Sequence, residues 1–321
     1  MDGQLFALLR QFYALNPTNI ILFPKDCLPQ GINDFLVNDV LLSQHFQKYP
    51  PSPQYQKRFW KWSNNDFEID SRIYDYYLGL DSTPERQQSF SGFNLQAPPS
   101  QSYITHFWST DGPLSRTQVD FPSNQSTTLM ESRTTIESGT TGLRTWLASF
   151  VLSQYLIFHP ELISSKRILE LGSGIGFLGI IVASLQQLNK TSQQSSSTGS
   201  LWLTDVNVEV LSRCRDNVQL TCNLSSLHQN INYLKLDWTE SIDVEESSGL
   251  ATFIHEKINP DLILGADIVF DPSLVPSLVG TLRIALQQVN PKNEPKVALI
   301  ALTIRNETTM NKFLSSVRGR C

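Results

Sequence analysis

The heptapeptide Glu170-Leu-Gly-Ser-Gly-Ile-Gly176 combines an acid with alternating glycines, directly after the apolar run RILEL and before an apolar stretch of helical spacing. Glycine lets a backbone turn sharply and approach a ligand with no Cβ in the way. A helix that begins there presents unpaired amides. Such a turn at the carboxyl end of a strand is chemistry for holding a small molecule. The spacing selects among the candidates. A dinucleotide fingerprint G-x-G-x-x-G needs glycine at position 177, where this chain has Phe177, and that counts against nicotinamide chemistry.

An acid closing the strand and alternate glycines after it are instead the pattern of S-adenosylmethionine sites, in which no pyrophosphate has to be cradled. Asp205 ends the next apolar run, LWLTD, where a carboxylate can accept both hydroxyls of an adenosyl ribose. It follows Gly172 at more than the usual spacing of ~20 residues, and the polar segment 191–200 accounts for the excess. Alone, Asp205 would read as a helix cap; beside the glycine turn it reads as a ligand.

Three further segments carry candidates. LKLDW puts Asp237 and Trp238 after a third strand, where an adenine could be hydrogen-bonded and packed. Gly265-Ala-Asp-Ile-Val-Phe-Asp-Pro272 follows a fourth. In it, Asp271 before Pro272 reads as a helix cap, whereas Asp267 has no capping role and Phe270 offers an aromatic wall. Ala266 is small, as a residue facing a cofactor should be. Gly139-Thr-Thr-Gly-Leu-Arg-Thr-Trp146 precedes the first strand, and its two glycines imply a close approach of that loop to the site. The histidines show no metal spacing, H-E-x-x-H and C-x-x-C are absent, and so is the hydrolase elbow G-x-S-x-G. No metal is expected. Cys214 and Cys222 fall on one expected helix, where burial is the ordinary fate of a thiol.

These residues need a scaffold. Strands are expected at Arg167–Leu171, Leu201–Asp205, Asn232–Leu236, Leu262–Ala266 and Val297–Thr303, with helices near 176–188, 207–223 and 273–289 and a less regular crossover at 239–258. Runs such as DLILGA and VALIALT are apolar on both faces, as buried parallel strands require. Alternation with helices of this length predicts an α/β, doubly wound sheet. A short strand at Thr128–Glu131 and an apolar helix at Gly142–Phe158 precede it. Residues 1–126 read as a separate, mainly helical extension, with apolar faces at Leu5, Leu8, Leu9 and Phe12, at Phe35, Val37, Leu41 and Leu42, and at Ile73, Tyr74, Tyr77 and Leu78. YPPSPQY interrupts those helices, and 81–126, rich in Ser, Gln, Pro and Gly, reads as a linker. The site-bearing domain is then 127–321.

Composition narrows the partners. The 321 residues carry 25 Lys+Arg against 30 Asp+Glu, a net charge of −5. That balance argues against nucleic acid or an anionic membrane as the main partner. No apolar run reaches the ~18 residues of a membrane span. The opening residues, with Asp2 and Arg10, do not form a signal peptide, so a cytoplasmic location is expected. Nothing in the sequence indicates an oligomeric state.

In order, SGTTGLRTW, ILELGSGIG, LDW, GADIVFDP, LVGTL and ALTIRN resemble the blocks of the seven-strand, S-adenosylmethionine-dependent protein-lysine methyltransferases, a Rossmann-like fold. The likeness is strongest to the branch acting on elongation factor 2, and it implies that protein as substrate. It assigns Trp146, Gly172, Ser173, Gly174, Asp205, Trp238 and Ala266 to the cofactor. The family's D-x-x-Y/F motif falls on Asp267 and Phe270, as the catalytic pair. Asp267 would orient the lysine amine and accept its proton or hydrogen bonds, and Phe270 would hold the methylated ammonium by cation–π attraction. Most of the acceleration would come from alignment. The chain ends at Cys321 without the strand pair that closes the family's sheet, so a sheet lacking its last two strands is expected, its outer apolar strand uncovered. Two alternatives stay open at this point: a shortened module that binds cofactor without turnover, and a methyltransferase acting on another protein.

Overall fold

In the computed structural model, which describes residues 2–63, 70–81, 101–110, 124–193, 199–288 and 294–319, the chain divides into two units, Met1–Thr135 and Ile136–Cys321. Each is built from a different pattern of apolar residues.

In the first unit, Asp2 caps α1 (Gly3–Tyr13) by accepting from the backbone N–H of Gln4 at 2.7 Å. Next come α2 (Pro29–Phe35), α3 (Gln44–Lys48), α4 (Pro53–Ser63) and α5 (Ser71–Asp81). Their core is aromatic: Phe6, Phe12, Phe35, Phe46, Phe59 and Trp60 are buried together, with the Phe12 and Phe59 rings 4.4 Å apart. Two expected faces are redrawn. Residues 36–41 form a π-helical turn that continues α2, and its wider spacing turns Leu36, Val37, Val40 and Leu41 all inward. Leu42 is left half exposed. On α5 the inward face runs through Ile73, Tyr76, Tyr77 and Leu80, so Tyr74 and Leu78 face outward.

The segment read as a linker is corrected where it is described. Ser102–Ser109 forms β1, antiparallel to β2 (Asn124–Glu131), with Ser102 opposite Glu131 and Ser109 opposite Asn124. Tyr103, Ile104, Thr105, Phe107 and Trp108 are β-branched or aromatic, which suits a pleated surface even without a run of aliphatics. The expected strand at 128–131 is therefore part of this ribbon and does not join the parallel sheet, and the division between units falls at 135/136, after the 126/127 read from the sequence. The remaining stretches of that linker, 82–100 and 111–123, lie outside the described residues, as does 194–198 of the polar insert.

The second unit alternates as expected: α6 (Leu147–Phe158), β3 (Arg167–Leu171), α7 (Phe177–Gln193), β4 (Ser200–Asp205), α8 (Val208–Val218), β5 (Ile231–Lys235), α9 (Glu246–Phe253), β6 (Leu262–Ala266), α10 (Val275–Leu286), β7 (Val297–Ala301) and α11 (Glu307–Arg318). The five strands are parallel in the order β5-β4-β3-β6-β7. Leu169, Leu171 and Ile263 on the central strands are fully buried, as strands covered on both faces require. Strand order reverses between β3 and β6, which opens a crevice at their carboxyl ends. Among the described residues no strand follows β7, whose Ala298–Ala301 are half-buried. Leu302 and Thr303, read as strand, lie beyond its end. No helix among the described residues is long and apolar enough to cross a membrane.

Candidate active site

The turn after β3 has positive φ at Gly172 (+65°), Gly174 (+53°) and Gly176 (+92°), where an L side chain costs about 1–2 kcal/mol. Space is tight for one as well. A Cβ on Gly172 would stand 2.9 Å from Ile268 Cγ2, and one on Gly174 would stand 3.1 Å from the Gly142 carbonyl oxygen. The second contact is the close approach expected of the 139–146 loop. Ser173 locks the turn to β4: its N–H donates to the Thr204 carbonyl at 2.7 Å, and its hydroxyl accepts from the Thr204 N–H at 3.0 Å. That hydroxyl, assigned to the cofactor by resemblance, is engaged inside the turn. Asn217 on α8, buried, donates to the Ile175 carbonyl at 3.0 Å and fixes the far side.

Asp205 ends β4 beside this turn. Its Oδ2 accepts from the Gly174 N–H at 3.3 Å and its Oδ1 from the Asn207 N–H at 2.9 Å. Burial raises its pKa, and the backbone hydrogen bonds from Asn207, Gly174 and Val206 pull the other way. Asp205 is not the cap of the next helix. Asn207 caps α8, accepting from Glu209 and Val210, and leaves the Asp205 carboxylate to the turn.

Behind the turn lies Glu170, completely buried, whose Oε2 has no hydrogen-bond partner among the described residues. Burial, and then the nearby Asp205 charge, push its pKa up to about 8. Cys214 on α8 is buried alongside, and burial followed by the Glu170 charge pushes its thiol well above the ordinary range.

Trp238 opens a single 3₁₀ turn, Trp238–Ser241, after β5. Its ring edge lies 3.6 Å from the position a Gly172 Cβ would take, so the indole does line the glycine turn. Asp237 caps that turn instead of offering both oxygens to a ligand: its Oδ1 accepts from the Thr239 N–H at 2.9 Å and hydroxyl at 2.7 Å. Trp146, at the start of α6, is half-buried, and its Nε1 donates to the Thr141 carbonyl at 3.1 Å.

Across the crevice, Ala266 ends β6, half-buried, and Asp267 follows with φ +57°. A non-glycine residue held in that region marks a site where surrounding contacts over-determine the backbone. The contacts are present. The Asp267 N–H donates to the Ala301 carbonyl at 2.9 Å, its Oδ1 accepts from the Thr303 N–H at 2.7 Å, and its Oδ2 accepts from the Thr303 hydroxyl at 3.1 Å and Arg305 Nη2 at 2.9 Å. Asp267 caps no helix; it is clamped by the loop after β7. Phe270 is 55% exposed, an aromatic open to a partner. Asp271 accepts from the Ser273 N–H and hydroxyl, both at 2.7 Å, the structural role expected of it.

Sequence reasoning missed Thr303, Arg305 and the protonation of Glu170. The first two lie within ALTIRN, but only tertiary pairing connects them to Asp267. No group of His, Cys, Asp and Glu among the described residues is arranged to hold a metal ion.

A Rossmann-like parallel sheet with a glycine turn, an acid at the end of the adjacent strand and an indole beside the turn defines a methyltransferase-type nucleoside site. The comparisons agree. Residues 124–320 match the lysine methyltransferase family model. The chain is similar to the protein-lysine N-methyltransferase EFM3 of Chaetomium thermophilum, 30% identical over 91% of this chain and 82% of that protein. It is also similar to the protein-lysine N-methyltransferase EEF2KMT of Homo sapiens, 31% identical over 61% of this chain and 56% of that protein. EEF2KMT of Bos taurus is 32% identical over 61% of this chain and 57% of its own length. The chain therefore spans little more than half of the mammalian relatives it matches. It belongs to the lysine methyltransferase family: a protein-lysine N-methyltransferase with S-adenosylmethionine as methyl donor and a protein as substrate.

The residues present fit that donor. Beside the glycine turn, with the Trp238 indole against it, stands the Asp205 carboxylate, engaged only by backbone N–H groups among the described residues.

Proposed function

We propose that this chain methylates a lysine of elongation factor 2, in the cytoplasm, with Asp205 holding the ribose hydroxyls of the donor, Trp146, Trp238 and Ala266 lining its pocket, and Asp267 and Phe270 receiving the lysine. The observation that carries this reading is the pairing of the Gly174 amide with the Asp205 carboxylate at 3.3 Å. Its support for the acceptor is the likeness of the motif blocks, Asp267 and Phe270 included, to the branch acting on that factor.

When bound, S-adenosylmethionine supplies an electrophilic methyl on a sulfonium. The chain's own residues prepare the acceptor. A lysine amine attacks only when neutral, and desolvation lowers its pKa. A carboxylate has about four acceptor positions. Three on Asp267 are taken by Thr303 and Arg305, which leaves one to orient the amine. The exposed Phe270 ring offers its face to the ammonium product. The helical N-terminal unit, on this reading, serves the protein substrate.

Incubation with radiolabelled donor and purified elongation factor 2 tests the proposal. Labelled lysine in that protein is expected, lost with Asp267→Ala while cofactor still binds, and lost with Asp205→Ala together with binding. Labelling of a different protein in cell extract would reassign the acceptor. Binding without turnover on any acceptor would reassign the chain to a cofactor-binding module.

A further inference from the structure

Arg305, in the loop after β7, does more than occupy an acceptor position on Asp267. Its guanidinium carbon lies 4.4 Å from the centre of the Trp146 ring. Its Nη2 donates to Asp267 Oδ2 at 2.9 Å. One side chain thus touches a residue given to the cofactor and a residue given to the acceptor lysine. A guanidinium is suited to this: its planar face stacks on an aromatic ring while its edge donates to a carboxylate. The Asp267 side chain is only 8% exposed, so water screens its end of the ion pair poorly, while Arg305 is 47% exposed.

The other contacts of Asp267 stay local. Thr303 and Ala301 bind it from the end of β7 and the loop after it. Arg305 is the contact that leaves this loop and reaches α6, whose first turn Trp146 opens. Trp146 is in turn tied through Nε1 to Thr141, in the loop whose Gly142 carbonyl abuts the glycine turn. A continuous chain of contacts therefore runs from the acceptor carboxylate to the cofactor turn: Asp267, Arg305, Trp146, the 139–146 loop, Gly174.

We infer that Arg305 is a positioning residue that couples the two halves of the site, holding Asp267 in register with the indole wall of the cofactor pocket. The inference rests on the roles proposed above for Trp146 and Asp267. It requires that an alteration at Asp267 be felt in cofactor binding, and only through Arg305.

A double-mutant cycle tests this by calorimetric titration of S-adenosylhomocysteine into the full chain, with a thermal melt of each variant to establish folding. Arg305→Met is expected to weaken binding about fivefold. Asp267→Asn is expected to weaken it about threefold and to add nothing in the Arg305→Met background. Arg305→Lys retains the charge for Asp267 but not the stacking plane. On whichever protein the wild type labels, it should recover most of kcat lost in Arg305→Met while remaining weak in cofactor affinity. Independent, additive effects of Asp267→Asn and Arg305→Met on affinity would overturn the inference. So would wild-type affinity in Arg305→Met, or, should that variant fail to fold, wild-type affinity in Arg305→Lys. The binding cycle needs no acceptor, so an error in assigning elongation factor 2 does not alter its outcome.

Discussion

Burial holds Glu170 far from the ordinary state of a carboxyl group. It lies one residue before the end of β3 with Oε2 unpaired among the described residues, and its pKa of about 8 keeps it protonated at neutral pH. In the unfolded chain it releases its proton near the ordinary carboxyl value of 4.5. Between those limits the folded state holds one more proton than the unfolded state. This group therefore makes stability fall as pH rises through that window, on the order of 1 kcal/mol per pH unit. Glu170→Gln keeps the shape and removes the titration. The melting temperature of the variant should change less between pH 5 and 8 than that of the wild type, and it should exceed the wild type at the upper end; parallel curves would refute the assignment. The acid was legible in the sequence as a partner of the glycines. Its protonation was not, because that depends on Asp205 and on burial, which arise from strands brought together across the sheet. The place of Asp205 at the end of its apolar run was legible because it is local; its hydrogen bond from Gly174, 31 residues away, depends on the pairing of β3 with β4. Arg305 had no local signature at all.

At the scale of elements, strands β3 to β7 fall within two residues of where apolar runs put them, because the central strands, covered on both faces, are built mainly from large aliphatic residues. Strand β1 escaped because much of the ribbon's interior is polar. Thr105, buried, shares hydrogen bonds of 2.9 Å with both His45 Nε2 and the Thr128 hydroxyl, and Trp108 Nε1 donates to the Thr127 hydroxyl at 3.0 Å. A ladder of threonines satisfies itself across strands, yet in one dimension it looks like a polar linker. Thr105→Val should reveal the difference. Deleting the hydroxyl removes one partner each from His45 and Thr128, and denaturant unfolding of the N-terminal unit should show a loss of about 1–3 kcal/mol. A loss below the error of the measurement would mean that the ladder is ornamental. Burial pushes the His45 pKa down to about 4, so the imidazole is neutral at neutral pH.

For the whole molecule, alternation of strand and helix implied a parallel sheet, but the order β5-β4-β3-β6-β7 comes from how the crossovers close. Reversal between β3 and β6 brings Asp267 across from Gly172, residues far apart in the chain. The unit boundary was misplaced because β2 depends on a partner in the segment before it. A ligand held in the crevice binds only the folded sheet, so at 100 times its Kd it should stabilise the second unit by about 2.7 kcal/mol. Thermal melts with S-adenosylhomocysteine should show an upward shift of the sheet's transition that disappears in Asp205→Ala. A shift that persists in that variant would place the ligand elsewhere.

One buried group gives this crevice a readout of its own. Cys214 is sealed under the glycine turn by α8, with its thiol far from ionising, so a disulfide reagent reaches it only when that helix lifts away. In a chain whose Cys27, Cys222 and Cys321 are replaced by serine, the rate of labelling would count those openings one by one. Occupancy of the pocket should slow the count by about the factor by which the ligand is in excess over its Kd.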